Sequence, residues 1–304
     1  MKVVYFGTSD IGLPILLKLH KEHTIVGVVT APDKPVGRKQ ILKASPIAEL
    51  AQQLHLPVLK PEKVKTNTEL LSQLRELQAD IFIVVSYGKI LPIDLLTIPP
   101  LKTINVHFSL LPKYRGAAPV QFALLNGETT TGTTIFILDE ALDHGPILAQ
   151  KSLAIDPDDT NISLQMKLAG LSSDLLATCL RNYEAGAITP KEQNHSEATA
   201  TRIITKEDGM IDWHKSSQHI YNQFRAYQPW PGIYTTYKDK KLKIISCRPG
   251  SQSNLLPGHV STTMIGCGNN TSLEIISVQP EGKSVMSIKD FLNGYPDFAA
   301  TSLT

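Results

Sequence analysis

The sequence predicts an α/β chain: a doubly wound, Rossmann-like domain followed by a small β-barrel of the OB-like kind. Two observations carry that expectation. Buried strand patterns alternate with helical patterns over the first 190 or so residues, and beyond them short strands are broken by Gly and Pro turns. Val3-Val4-Tyr5-Phe6 is an unbroken β-branched and aromatic run, as in a strand buried on both faces. Gly7-Thr8-Ser9-Asp10 is turn chemistry, with Ser9 or Asp10 placed to cap a helix. Ile11, Ile15, Leu16 and Leu19 recur along that helix at helical spacing, and Pro14 falls early, where a missing N–H costs little. Residues 24–29 read as the next strand and complete a β-α-β opening. The grammar then repeats. Strands are expected at 57–59, 81–85, 103–107 and 133–138, and helices at 68–78, 118–125 and 162–181.

The polar stretch around Lys191-Glu192-Gln193-Asn194-His195 reads as a linker, giving a first domain over 1–189, a linker over 190–205 and a second domain over 206–304. In the second domain one helix, 216–225, precedes strands at 234–237, 242–246, 264–266 and 273–278. The 304 residues are 42% apolar and 19% charged, which excludes a disordered chain. The net charge of +2 argues against a general nucleic-acid binder. All of that excess lies in 206–304, where ten basic residues face eight acidic ones. Three scattered cysteines and no CxxC fit a reducing compartment and no Cys-based zinc site. No apolar run approaches the length of a membrane span, so the expected location is the cytoplasm.

Gly7 and Gly12 stand five apart with no middle glycine, so the first turn is neither GxGxxG nor a phosphate-binding P-loop. The denser signal is 103–119. Asn105 and His107 end a strand two residues apart, so both side chains lie on one face. A second strand runs into the acidic loop Asp139-Glu140-Ala141-Leu142-Asp143-His144. An amide donor for a developing oxyanion, a proton-shuttling imidazole and a carboxylate that orients it suit acyl transfer to an amine without a covalent intermediate. The plain alternative is a structural His, a turn-closing Asn and a solvated acidic loop, and spacing alone does not choose between them. No GxSxG elbow supports Ser109 as a nucleophile. HxxxH and HExxH spacings are absent, so His107, Asp143 and His144 are not expected to hold a metal.

The run Asn105-Val-His107-Phe-Ser109-Leu-Leu-Pro112-Lys-Tyr-Arg115-Gly116-Ala-Ala-Pro119, followed by Leu138-Asp139-Glu140 and Leu142-Asp143-His144-Gly145-Pro146, resembles the folate-dependent formyltransferases. Arg115-Gly116-Ala117-Ala118-Pro119 is similar to the branch that formylates methionyl-tRNA. Residues 30–38, 86–92, 211–213, 225–232 and 286–292 extend the likeness, in order, over nearly the whole chain. The resemblance implies direct formyl transfer from 10-formyltetrahydrofolate to the α-amine of methionyl initiator tRNA, through a tetrahedral intermediate, for translation initiation. It places the catalytic Asn, His and Asp on Asn105, His107 and Asp143. Folate contacts carry over to Ser109, Leu110, Leu111 and Pro112, with the pterin against Ile90, Leu91 and the loop that begins at Leu138. No metal is implied, and the chain is expected to act as a monomer.

On the tRNA side the resemblance places the loop with Arg38, Lys39 and Lys43 at the acceptor end. The family often reads Gly-Arg-Gly-Lys-Lys there; here Gly37-Arg38 is followed by Lys39-Gln40-Ile41, with less positive charge. In the second domain Lys238, Lys240, Lys241 and Lys243 run on to Arg248, five basic residues and one acidic within eleven. Even spacing allows Lys238, Lys240 and Arg248 to share a strand face suited to phosphates, although a charged hairpin turn accounts for them nearly as well. Trp213 and Trp230 read as packing anchors. The alternatives are a sugar-nucleotide formyltransferase acting on an amino sugar, a deformylating hydrolase, a non-enzymatic RNA-binding protein and a dinucleotide dehydrogenase. The C-terminal likeness speaks against the first, a basic barrel in place of an effector-binding domain against the second, the site trio against the third and the missing GxGxxG against the fourth.

Overall fold

The computed structural model describes residues 1–36 and 40–303. Arg38 and Lys39 therefore lie outside the described residues. The chain divides into two units. The first comprises Met1–Pro119, Thr130–Ala154 and Gln165–Thr201; the second comprises Val120–Thr129, Ile155–Leu164 and Arg202–Thr304.

The first unit opens with β1 (Lys2–Gly7), α1 (Leu13–Glu22) and β2 (Thr24–Val29). A short ribbon of β3 (Lys34–Val36) and β4 (Ile41–Lys43) follows, then α2 (Pro46–Gln53), β5 (Val58–Leu59), α3 (Thr68–Glu76), β6 (Ile81–Val85), α4 (Ile93–Leu96) and β7 (Thr103–His107). After α5 (Pro119–Leu125) come β8 (Thr130–Ile137), β9 (Ile147–Ala154) and the long α6 (Asn161–Glu184).

The main sheet has the order β5-β2-β1-β6-β7-β8-β9. Its first five strands are parallel, and β8 and β9 are antiparallel to their neighbours. The sheet is thus doubly wound and mixed. The sequence reading left β9 unread because it is an edge strand: Ile-Leu-Ala-Gln-Lys-Ser-Leu-Ala is mostly half-buried or exposed and lacks a continuous apolar run. Antiparallel pairing there follows from the short 138–146 connection, too short for a parallel crossover.

Val3, Val4, Tyr5 and Phe6 are fully buried, because β1 is flanked by β2 and β6 and covered on both faces. Phe6 packs on Phe82 and Tyr87, with ring centroids 5.4 and 5.6 Å away. Leu70, Leu71 and Leu74 of α3 close the same cluster. Neither Ser9 nor Asp10 caps α1, contrary to expectation: a short 3-10 turn, Asp10–Gly12, intervenes and Gly12 takes the cap position. Ser45 and Asn67 do cap α2 and α3, accepting from Ala48 N and Leu70 N.

Order in the second unit comes from α7 (Ser217–Ala226), β10 (Ile233–Tyr237), β11 (Lys240–Gln252), β12 (Val260–Ser261), β13 (Met264–Cys267), β14 (Thr271–Pro280), β15 (Met286–Ser287) and α8 (Ile288–Gly294). They form an antiparallel sheet of order β10-β11-β14-β13-β12, with β15 on β14. Tyr237, Phe291, Tyr295 and Phe298 make an aromatic cluster over one end. Buried Trp213 donates from Nε1 to Thr235 Oγ1 at 3.1 Å, as a packing anchor should. Trp230 is 52% exposed and is not one. Buried Arg225 donates to the Asp159 carbonyl at 3.1 Å and to Asn222 Oδ1 at 2.7 Å.

The stretch 190–201, expected to be part of a linker, is ordered structure of the first unit. Lys191 exchanges both backbone hydrogen bonds with Ile147, at 2.7 and 2.8 Å. Most side chains of the stretch are exposed, and the buried exception is Gln193, whose amide is spent on the neighbouring loops.

Replacing Phe6 with Ala removes a ring buried between two others and is expected to cost about 3–5 kcal/mol in urea unfolding. In the second unit Arg202 and Thr205 N hold the Asp208 carboxyl down at about 2, against an ordinary 3.8. A depressed carboxylate stabilises the fold above its ordinary value and loses that contribution as pH falls toward its folded one. The stability difference between the parent and Asp208→Asn should therefore shrink between pH 4 and pH 2, read from denaturation midpoints.

Candidate active site

The parallel strands β1, β6 and β7 present their carboxyl ends at one edge of the main sheet, where such sheets bind ligands. Asn105 and His107 sit at that end of β7, on one face because strand side chains alternate. Asn105 is half-buried, and its amide makes no hydrogen bond with the described residues. It stands opposite Val84 of β6 and Phe136 of β8.

His107 is buried. Its Nε2 lies 2.8 Å from the Tyr114 carbonyl, which can only accept, so Nε2 carries the hydrogen. Its Nδ1 faces Asp143 Oδ2 at 3.6 Å. Both ring nitrogens thus address oxygen acceptors. Asp143 Oδ2 also accepts from Gly116 N at 2.7 Å. Asp143 itself takes a left-handed backbone, φ +48°, and is buried. The structure therefore brings together the three residues that the sequence separated by up to 38 positions.

Two loops supply this geometry. The first follows β7. Ser109 is fully buried and its hydroxyl donates to Lys113 O at 2.6 Å. Leu111 is buried, with its N–H on Thr134 Oγ1 at 3.0 Å and its carbonyl taking Gln150 Nε2 at 2.7 Å. Of the four residues expected to touch folate here, Leu110 and Pro112 are half-buried, whereas Ser109 and Leu111 have their polar groups turned to the protein. Of the others, Ile90 is 82% exposed at the end of β6, Leu91 lies in the core cluster, and Leu138 packs against that cluster. The second loop, 138–146, carries Asp139, whose Oδ2 pairs with His144 Nδ1 at 2.7 Å. A Cβ on Gly145 would stand 2.0 Å from Ile137 O, so only glycine lets the loop close there.

Sequence reasoning missed the third contributor, residues 190–201. Gln193 donates to the carbonyls of Asp143 and Gly145 at 3.0 and 2.8 Å and accepts from Arg115 Nη2 at 2.7 Å. His195 stacks flat on His144, centroids 3.9 Å apart, with its Nδ1 2.9 Å from Arg115 Nη2. Thr199 and Thr201 bracket Arg115 through backbone bonds of 2.8 and 2.7 Å. These contacts span about 50 to 86 positions, and no periodicity signals them.

The basic residues fall differently from expectation. Lys238 and Asp239 both have positive φ and form the two-residue turn of the β10–β11 hairpin, so Lys238 is not on a strand face. It is ion-paired with Asp297. Register shifts between Ile244 and Cys247 reverse the alternation along β11, and Arg248 pairs with Glu274 at 2.7 Å. The even-numbered face is therefore corrected. Lys240 shares the parity of buried Leu242 and Ile244, and the exposed face is instead Lys241 and Lys243, alternating with those core residues. Lys241 Nζ stands 3.6 Å from the Tyr234 ring centroid. Exposed Lys43, on the β3–β4 ribbon of the first unit, sits directly opposite Lys34.

Among the described residues there is no group of three or more His, Cys, Asp or Glu able to hold a metal ion, and no helix is long and apolar enough to cross a membrane.

Residues 1–180 match the formyl transferase family model, and residues 203–296 match the model of the formyl transferase C-terminal domain. The methionyl-tRNA formyltransferase of Koribacter versatilis is 43% identical over 308 residues, covering 100% of this chain and 98% of its own. That of Caldanaerobacter subterraneus subsp. tengcongensis is 42% identical over 301 residues, covering 97% of each. A solved N-formyltransferase from Helicobacter canadensis, in complex with folinic acid and dTDP-3-aminofucose, shares the fold at a TM-score of 0.67 and 22% identity, over 92% of this chain and 99% of its own. The chain belongs to the methionyl-tRNA formyltransferase family, with both the formyl transferase domain and its C-terminal domain present.

Proposed function

We propose that this chain transfers a formyl group from 10-formyltetrahydrofolate to the α-amine of methionine on initiator tRNA. The observation that carries the reading is the meeting of Asn105, His107 and Asp143 at the carboxyl edge of the sheet, in a chain whose relatives of that name match it end to end. The site residues suit a folate donor. An unpartnered amide, Asn105, stands beside a buried imidazole, with apolar Ile90, Leu110, Pro112 and Leu138 exposed or half-buried nearby in the fold. Ser109, Leu111 and Leu91 contribute by shaping the loops behind them. The donor supplies an electrophilic formyl carbon.

The residues of the chain do the rest. Asn105 donates an N–H to the formyl oxygen, where negative charge collects. His107, facing Asp143 and fixed by the Tyr114 carbonyl, stabilises that charge and moves a proton. Asp143 accepts the proton that leaves the amine as its nitrogen bonds to the formyl carbon. The tetrahedral intermediate then collapses, the bond from that carbon to N10 breaks, and N10 of the departing tetrahydrofolate takes the proton back through His107 and Asp143. Both carboxylate and imidazole are buried, where such electrostatic effects are strongest. Nothing in this scheme calls for a metal ion.

For tRNA, the exposed Lys241–Lys243 face with Tyr234 offers phosphate contacts and a ring for stacking. Lys43, facing Lys34, adds positive charge on the ribbon that leads to Arg38 and Lys39. Lys240, exposed at the start of β11 but outside the Lys241–Lys243 face, and Lys238, once its ion pair with Asp297 opens, add positive charge beside it. In this reading the enzyme acts as a monomer in the cytoplasm.

His107→Ala, checked for folding, should lose on the order of 100-fold or more in kcat. Near-parental turnover would sink the assignment. In an acceptor panel with 10-formyltetrahydrofolate, charged initiator tRNA should be formylated over charged elongator tRNA and an amino-sugar nucleotide. Formylation of the sugar alone would establish the alternative activity instead. tRNA affinity should fall with salt, and Lys241→Ala or Lys243→Ala should each reduce the slope of log K against log salt by about 1. An affinity that ignores salt contradicts the proposed phosphate contacts.

A further inference from the structure

We propose that Gln193 is a positioning residue of the transfer site, setting the Asp143 carboxylate against His107. The inference rests on the reading of His107 and Asp143 as the transfer pair.

Asp143 is a non-glycine residue held at φ +48°, a conformation that persists only where its surroundings impose it. Two handles do so. One is the carboxylate, whose Oδ2 accepts from Gly116 N at 2.7 Å. The other is the backbone, whose carbonyl accepts from Gln193 Nε2 at 3.0 Å. The second N–H of the same amide goes to Gly145 O at 2.8 Å, so both donors brace the turn around Asp143.

The amide oxygen reaches the first handle as well. It accepts from Arg115 Nη2 at 2.7 Å, and Arg115 immediately precedes Gly116. A single buried side chain thus touches both loops that meet at Asp143. Its three polar bonds are all made, and water has little access to replace them. Removing them strands two buried carbonyls next to a backbone already in the left-handed region, and the carboxylate moves off Nδ1.

The charged and titratable groups around this assembly are Asp143, Arg115, His144 with Asp139, and His195 against Arg115. None of them except Asp143 is within ion-pair distance of His107. Asp143 is therefore the group through which Gln193 reaches His107.

Two variants test the role. Gln193→Met keeps the length of the side chain and removes every hydrogen bond. Gln193→Glu keeps an acceptor for Arg115 and sets oxygen against the two carbonyls. In both, kcat with methionyl initiator tRNA should fall by up to about 100-fold while KM for 10-formyltetrahydrofolate stays nearly unchanged. In an Asp143→Asn background Gln193→Met should cost little more, because Gln193 acts through Asp143. A KM that rises as kcat falls, an equal loss in both backgrounds, or a failure of both variants to fold assigns Gln193 a purely structural role and overturns the inference. The two readings fail separately. An active His107→Ala enzyme removes the transfer pair, whereas unchanged Gln193 variants beside an inactive His107→Ala remove only the positioning role.

Discussion

The hydrogen bond from the Gly116 amide to Asp143 Oδ2 is the constraint on which the site depends. It ties the loop after β7 to the loop between β8 and β9, and each loop alone leaves half a site. The first brings Asn105, His107 and the Tyr114 carbonyl; the second brings the carboxylate. A buried carboxylate is costly unless its oxygens are engaged, so the fold holds Asp143 where an N–H and an imidazole can both meet it. Residues 190–201 then lock the pair of loops from outside, through Gln193, His195, Thr199 and Thr201.

The sheet explains why this meeting point lies where it does. Five parallel strands place the carboxyl ends of β1, β6 and β7 side by side, and the core cluster around Phe6, Phe82 and Tyr87 keeps that edge rigid. β8 runs antiparallel, from Thr134 beside His107 to Ile137 beside Ile104, and the acidic loop that follows it turns back so that Asp143 Oδ2 stands 3.6 Å from His107 Nδ1.

The second unit shows how a local detail redirects charge. Two consecutive residues of positive φ take Lys238 out of its strand, and the register shift along β11 puts Arg248 out of the alternation of Lys238 and Lys240. Lys238 and Arg248 are neutralised by Asp297 and Glu274. What stays open is a narrower face, Lys241 and Lys243 beside Tyr234. A small basic face of this kind suits contact with one nucleic-acid end, in keeping with a net charge of only +2.

Much was legible in the sequence, for physical reasons. Continuous apolar runs such as Val3-Val4-Tyr5-Phe6 can only be strands covered on both faces, and the two-residue spacing of Asn105 and His107 determines that they share one. The membership of the chain was readable too, because its motifs keep their order over nearly the full length. The edge strand β9 was not, since half-exposed residues carry no strong period. Nor was the clasp formed by 190–201, in which a single buried residue, Gln193, sits in a run that is otherwise polar and exposed. Sequence by itself determined the residue types at the site and the strand that presents two of them. Only the tertiary structure decided the distance from Asp143 to His107, because that distance depends on hydrogen bonds between segments up to 86 residues apart, which no local pattern encodes.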